Sequence, residues 1–100
     1  MRFEFKNNEL HWLFTEERDA YKYPPGLVDA FFEVMAIIQA AENENDLRAF
    51  KSLRFEKLKG NRAGQFSLRL NKQFRLIVQI MKDEHGKLLW IIEIVDYHRS

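Results

Sequence analysis

The last residues of the chain place an acid, a phenol and an imidazole side by side. Asp96, Tyr97 and His98 follow a long apolar run, so we expect them where a strand leaves a sheet. Histidine exchanges protons near neutral pH, and a neighbouring carboxylate can take part in the same chemistry. The triplet is therefore a candidate site for acid–base catalysis.

Basic residues are concentrated upstream of this triplet. Residues 1–50 hold 5 Lys or Arg and 10 Asp or Glu, a net −5, whereas residues 51–100 hold 11 and 5, a net +6. Between Lys51 and Arg75 the only acidic residue is Glu56, and the local net charge is +7. Such a segment attracts a polyanion, most commonly nucleic acid, although a solvated strand face would have the same composition.

The two features together fit the cleavage of RNA by its own 2′-hydroxyl. That reaction needs a base for the hydroxyl, an acid for the leaving oxygen and cations around the developing phosphorane. Lys59, Arg75 and His98 could supply these groups without a metal ion.

The sequence lacks the residues that metal, phosphate-loop or serine-nucleophile chemistry needs. The chain has no cysteine, and His11, His85 and His98 are too scattered for a dedicated metal site, so no metal or cofactor is expected. The segment GNRAG at 60–64 lacks the spacing and the final Lys-Ser/Thr of a phosphate-binding loop, and we expect a turn with an exposed Arg62. No serine stands in a nucleophile-elbow context.

The N-terminal half has helical patterning. Phe3 and Phe5 alternate in a short strand from Arg2 to Lys6, and Asn7 and Asn8 offer a cap for a helix that runs to about Arg18. After a Pro pair, apolar residues from Leu27 predict a long helix to about Ala41 that lies across a sheet. Asp46 is the candidate cap of a further helical turn.

The C-terminal half has a period of two. A hairpin with a three-residue loop, Asn71 to Gln73, keeps the apolar residues on one face and pairs Arg69 with Arg75. Like charges directly opposite each other are unfavourable unless an anion lies between them, which favours ligand binding. A turn over residues 81–87, centred on Gly86, leads to an apolar run, 88–95, typical of a central strand.

These elements predict one α+β two-layer domain, residues 1–100, with helices packed on a mainly antiparallel sheet. No apolar run approaches the ~18 residues needed to span a bilayer, and the charged N-terminus is unlike a signal peptide. We expect a cytoplasmic protein.

Three segments carry a resemblance that extends over almost the whole chain. They are FKNNELHWLF, the run LKGNRAGQFSLRLNKQFRLIV and the closing EIVDYH, and together with the Pro-led helix they resemble the HigB-type (plasmid maintenance killer) toxins of the RelE/ParE superfamily. The resemblance implies a RelE-like fold and the toxin of a type II toxin–antitoxin system that cleaves translated mRNA on the ribosome. It also implies a helix-turn-helix (HigA-type) antitoxin, through which alone the toxin would meet DNA.

The family's active-site positions fall on Lys59, Arg75, Asp96, Tyr97 and His98. From both lines we expect Lys59 and Arg75 to hold the scissile phosphate, His98 and Asp96 to handle protons, and Tyr97 to orient or stack on a base. Glu56 stands where some members have a histidine. Four other cations of the basic segment 51–75 are expected to bind the RNA backbone or ribosomal RNA: Lys57, Arg62, Arg69 and Lys72.

Two other functions are compatible with the same sequence. A ParE-like toxin would bind DNA gyrase and would not need His98. A non-catalytic RNA-binding domain would use the basic face only to dock, so that loss of His98 or Tyr97 would leave its activity in cells unchanged.

Overall fold

The computed structural model describes residues 1–97. Five strands and three α-helices alternate with short 3₁₀ turns. The elements are β1 (Phe3–Phe5), α1 (Asn8–Glu16), α2 (Leu27–Ala40), α3 (Glu44–Ala49), β2 (Glu56–Lys57), β3 (Gln65–Arg69), β4 (Phe74–Asp83) and β5 (Gly86–Asp96), with 3₁₀ turns at Ala20–Lys22, Lys51–Leu53 and Gly60–Arg62. No helix in the described range is long and apolar enough to cross a membrane.

The strands form one sheet in the order β1-β5-β4-β3-β2. β1 runs parallel to β5, and every other neighbouring pair is antiparallel. This arrangement confirms the predicted α+β class, and it confirms that the apolar run near the C-terminus is a central strand.

The helices pack on one face of this sheet. Leu13 of α1, Phe31 and Met35 of α2 and Leu47 of α3 are fully buried against the strands. Each such side chain contributes about 1.5–3 kcal/mol through its removal from water, which is why the apolar spacing of α2 fixes its orientation. The predicted span of α2 is confirmed to within a residue.

The other face carries none of the three α-helices, and we call it the open face. Strand alternation and cross-strand pairing assign its residues. They are Glu4 of β1, Glu56 of β2, Gln65, Ser67 and Arg69 of β3, Arg75, Ile77, Gln79 and Met81 of β4, and Leu88, Trp90, Glu93 and Val95 of β5.

A β-bulge in β5 sets which of its residues reach the open face. Ile77 pairs with Glu93 but the next residue, Val78, pairs with Ile91, so Ile92 is an extra residue in β5. Because side chains alternate, the extra residue turns Trp90 to the open face and Ile91 to the core. Ile91 is fully buried.

Two local predictions were wrong in detail. The cap of α3 is Asn43, whose side chain accepts from the Asn45 N–H at 2.9 Å. Asp46 lies within the helix and instead accepts from the Glu42 N–H at 2.8 Å. Both residues satisfy N–H groups that the start of a helix leaves free, so sequence types alone did not separate them.

The turn before β5 is also tighter than predicted. Pairing continues to Asp83 and Gly86, which leaves only residues 84–85 to reverse the chain. Gly86 has φ 104°, which is accessible to glycine, and the Asp83 carboxylate accepts from the His85 N–H at 2.8 Å. These local bonds let both strands extend beyond their apolar residues.

Candidate active site

The hairpin between β3 and β4 has the predicted register. Arg69 pairs with Arg75, and the Leu70 N–H donates to the Phe74 carbonyl at 3.0 Å. The Asn71 side chain closes the loop because its Oδ1 accepts from the Gln73 and Phe74 N–H groups at 2.9 and 2.8 Å. This loop brings the two arginines side by side at the end of the open face.

The two guanidinium groups share one acceptor. Arg69 Nε and Arg75 Nη1 donate to the Asn71 carbonyl at 3.3 and 2.9 Å. Within residues 1–97 neither forms an ion pair with a carboxylate. Burial and then the charge of Arg69 lower the pKa of Arg75. An anion bound here would relieve the repulsion between them.

Tyr97 completes this arginine cluster. Its ring centroid lies 4.8 Å from the Arg75 Cζ, a cation–π contact, and the side chain remains 39% exposed. The Tyr97 N–H donates to the Gln73 carbonyl at 2.6 Å, which fixes the residue beside the loop. The structure therefore brings together Arg69, Arg75 and Tyr97, three of the residues predicted from the sequence.

Two charged residues near Arg75 were missed by the sequence analysis as members of the cluster. Beyond burial and Arg69, the charge of Glu56 raises the pKa of Arg75 and the charge of Arg54 lowers it. Glu56 is on the open face because it pairs with Ser67. The strand β2 that carries it has only two residues, too few for a periodic signal in the sequence.

The carboxylate of Asp96 points away from this cluster. Asp96 pairs with Phe74, whose side chain packs on the core, so the two side chains share the helical face of the sheet. Gln73 Nε2 donates to Asp96 Oδ2 at 2.9 Å. Gln73 thus holds Asp96 through its side chain and Tyr97 through its main chain.

Lys59 and Arg62 lie further along the sheet. Lys59 is exposed and precedes the 3₁₀ turn Gly60–Arg62. It follows Leu58, whose N–H donates to the Gln65 carbonyl. Gln65 pairs with Gln79 of β4, and Gln79 is four residues, or about 13 Å, along that strand from Arg75. Arg62 is not the freely exposed arginine that we expected: it pairs with Glu93 at 2.8 Å and bonds to Gln65 at 3.1 Å.

The last three predicted residues are dispersed. Lys57 pairs with Phe66 and so lies on the helical face, while Lys72 is exposed in the β3–β4 loop. His98 lies outside the described residues. Among residues 1–97, no three His, Asp or Glu side chains gather as metal ligands would.

Solved structures with the same fold are bacterial toxins. YafQ from E. coli strain BL21(DE3) superimposes with a TM-score of 0.60 over 97% of this chain and 94% of its own, at 12% identity. The YoeB/ParE toxin from Agrobacterium tumefaciens gives 0.57 over 98% and 100%, at 16% identity. The YoeB–YefM complex from Staphylococcus aureus gives 0.53 over 99% and 98%, at 19% identity. The chain thus has the fold shared by these YafQ and YoeB structures, with helices on one face of a five-stranded, mainly antiparallel sheet.

Sequence comparison narrows this class. The family model for HigB-like toxins, described as the RelE-like toxin of the type II toxin–antitoxin system HigB, matches residues 3–98. Toxin HigB-1 of Vibrio cholerae serotype O1 (strain ATCC 39315 / El Tor Inaba N16961) is 39% identical over 79 residues, 79% of this chain and 83% of that protein. The chain belongs to the HigB-like toxin family, as its motifs indicated.

Proposed function

We propose that this HigB-like toxin is an endoribonuclease that cleaves mRNA on the translating ribosome and so inhibits growth. The observation that carries the proposal is the pair Arg69 and Arg75, whose guanidinium groups converge on one carbonyl without a carboxylate partner in the described part of the chain. Tyr97 lies beside them as an aromatic surface for a base. Paired guanidinium groups and an exposed ring match a nucleotide's phosphate and base.

In this mechanism the phosphate lies against Arg69 and Arg75, which stabilise the charge that develops in the phosphorane. Glu56, the open-face carboxylate whose charge acts on Arg75, takes the proton of the 2′-hydroxyl. The hydroxyl oxygen attacks phosphorus, the bond to the 5′-oxygen breaks, and His98 protonates that leaving oxygen. Lys59, further along the face, holds the RNA backbone.

An antitoxin is the second partner of the proposal. The chain belongs to a family of type II toxin–antitoxin systems, and a structure with the same fold is a toxin in complex with YefM. We infer a helix-turn-helix antitoxin that binds this toxin and links it to DNA. Action on translating ribosomes would place the toxin in the cytoplasm.

Expression of single variants in bacteria tests the proposal. We expect the wild-type chain to arrest growth and to produce new 5′ ends inside translated messages, measured by primer extension. His98→Ala should reduce cleavage by about a hundredfold or more, because general acid–base groups contribute roughly 10²–10⁴-fold. Lys82→Gln, which removes a charge at the far end of the β4–β5 hairpin, is the matched control and should cleave like the wild type.

Different results in these assays would indicate a gyrase inhibitor or a non-catalytic RNA-binding domain. Growth arrest without mRNA cleavage, unchanged in His98→Ala, would point to gyrase, and a gyrase supercoiling assay would then show inhibition. Unchanged activity in cells after loss of His98, combined with weaker RNA binding after loss of Arg75, would point to a non-catalytic RNA-binding domain.

A further inference from the structure

The open face has a second aromatic side chain at a distance from the arginine cluster. Trp90 pairs with Gln79 on one side and with Glu4 on the other, and the β-bulge at Ile92 turns it to the open face. It is partly exposed.

A basic side chain lies over the ring of Trp90, as one does over the ring of Tyr97. The Lys6 ammonium lies 5.0 Å from the centre of the indole ring, as the Arg75 guanidinium lies 4.8 Å from the ring of Tyr97. Each ring thus combines a stacking surface with a cation that can hold the adjacent phosphate. The two pairs lie at different levels of the open face.

Two glutamine side chains lie beside Trp90 on the open face. Gln79 and Gln65 continue the level of Trp90 across the sheet, both partly exposed, and their amides can donate to and accept from base edges. The level between the two rings holds Ser67 and Ile77, both nearly fully buried, and Glu93. The acidic residues of the region have basic neighbours. Arg62 pairs with Glu93 at 2.8 Å, and the Glu4 carboxylate is near enough to Arg2 to help raise its pKa. Lys6 and Lys59 therefore remain as the cations that face an incoming backbone.

We propose that Trp90 and Lys6 form a second nucleobase-stacking site, so that single-stranded RNA lies along the open face from Tyr97 to Trp90. Along the strands, the main-chain positions of Tyr97 and Trp90 are further apart than Arg75 and Gln79, which are four residues or about 13 Å apart, so a few nucleotides could span them. The proposal rests on the proposed function, because it extends the same RNA site. It assigns to Trp90 the binding of a base away from the scissile bond.

Tryptophan fluorescence tests the contact directly. The chain has two tryptophans, so Trp12→Phe leaves Trp90 as the only one, and Trp90→Phe leaves Trp12 on helix α1 of the helical layer. The purified full-length chains are titrated with a short 2′-O-methyl oligoadenylate, which lacks the attacking hydroxyl. We expect stacking to quench the emission of the Trp12→Phe protein, while the emission of the Trp90→Phe protein stays constant.

Affinity provides the second measurement, from the anisotropy of the labelled oligonucleotide. Trp90→Ala should weaken binding about fivefold or more, whereas Trp90→Phe retains a ring and should bind like the wild type. Thermal unfolding of each variant shows whether the fold persists. If Trp90→Ala alone unfolds, the quenching experiment on the Trp12→Phe protein decides.

Unchanged Trp90 emission at saturating oligonucleotide would overturn the proposal, as would wild-type affinity in Trp90→Ala. Absence of binding by the wild-type chain at low salt would overturn it too. None of these results affects the cleavage of translated mRNA in cells, so failure of the stacking site is distinguishable from failure of the proposed nuclease activity.

Discussion

At the scale of single residues, the direction of a side chain decides which carboxylate faces the arginine cluster. Asp96 is next to Tyr97 in the sequence, but its carboxylate accepts from Gln73 on the helical face. Glu56 is nineteen residues before Arg75, yet its charge raises the pKa of that arginine. Proton transfer needs hydrogen-bond reach to the reacting group, so the open face favours Glu56.

Amide substitutions separate the two carboxylates. Glu56→Gln removes the proposed base and should lower cleavage of translated mRNA by about a hundredfold. Asp96→Asn should stay within a few-fold of the wild type, because the amide oxygen can still accept from Gln73. Cleavage is measured by primer extension in a cell-free translation reaction. A larger loss of cleavage in Asp96→Asn than in Glu56→Gln would instead assign proton transfer to Asp96.

At the scale of elements, the short helix α3 depends on its contacts with the rest of the fold. A helix of six residues has little stability by itself. Leu47 is fully buried beneath it, and Glu44 bonds to Lys87 of β5 at 2.8 Å, which ties α3 to the sheet. The hydrogen bond from Lys87 is the main reason that the pKa of Glu44 is lowered.

This pair predicts a pH-dependent stability. A carboxyl whose pKa is lowered by folding stabilises the protein above its unfolded pKa of roughly 4.3, and the contribution is lost as pH falls through the folded value. Glu44→Gln should therefore cost about 0.5–1 kcal/mol in the free energy of unfolding near pH 7 and nothing near pH 2. Urea denaturation at both pH values measures it. Lys87→Gln should give the same loss, and equal, additive losses in the double variant would contradict the contact.

At the scale of the whole molecule, charge is divided between the two layers. The segment 1–50, which has a net negative charge, contains the three helices and β1. The segment 51–100, which has a net positive charge, contains the other four strands. The arginine cluster thus belongs to the basic half of the chain, whose excess positive charge attracts polyanions.

Salt dependence tests whether that attraction binds RNA. Arg69→Gln should weaken binding of the oligoadenylate and reduce the slope of log affinity against log salt by about 0.7, the value for one phosphate contact on a single strand. Lys82→Gln removes the same charge at the far end of the β4–β5 hairpin and should leave the slope unchanged. Equal slopes in the two variants would mean that RNA responds to net charge and not to the arginine cluster.

Local patterns predicted most of the fold. Apolar spacing gave α2 its limits, and the need to keep Arg69 and Arg75 out of the core selected the three-residue loop between them. The motifs around Lys59, Arg75 and the closing triplet identified the family. Each of these conclusions depends on residues that are close in the chain, where periodicity and turn geometry act.

Only the tertiary structure decided which distant residues meet. Arg62 pairs with Glu93, thirty-one residues away, so its charge is not free as expected. The apolar run of β5 has no alternation of its own, and one extra residue at Ile92 determines that Trp90 faces outward. The sequence by itself thus determined the elements and the family, because those follow from local periodicity and motifs. The composition of the site depended on strand register, which is fixed by packing of the whole sheet.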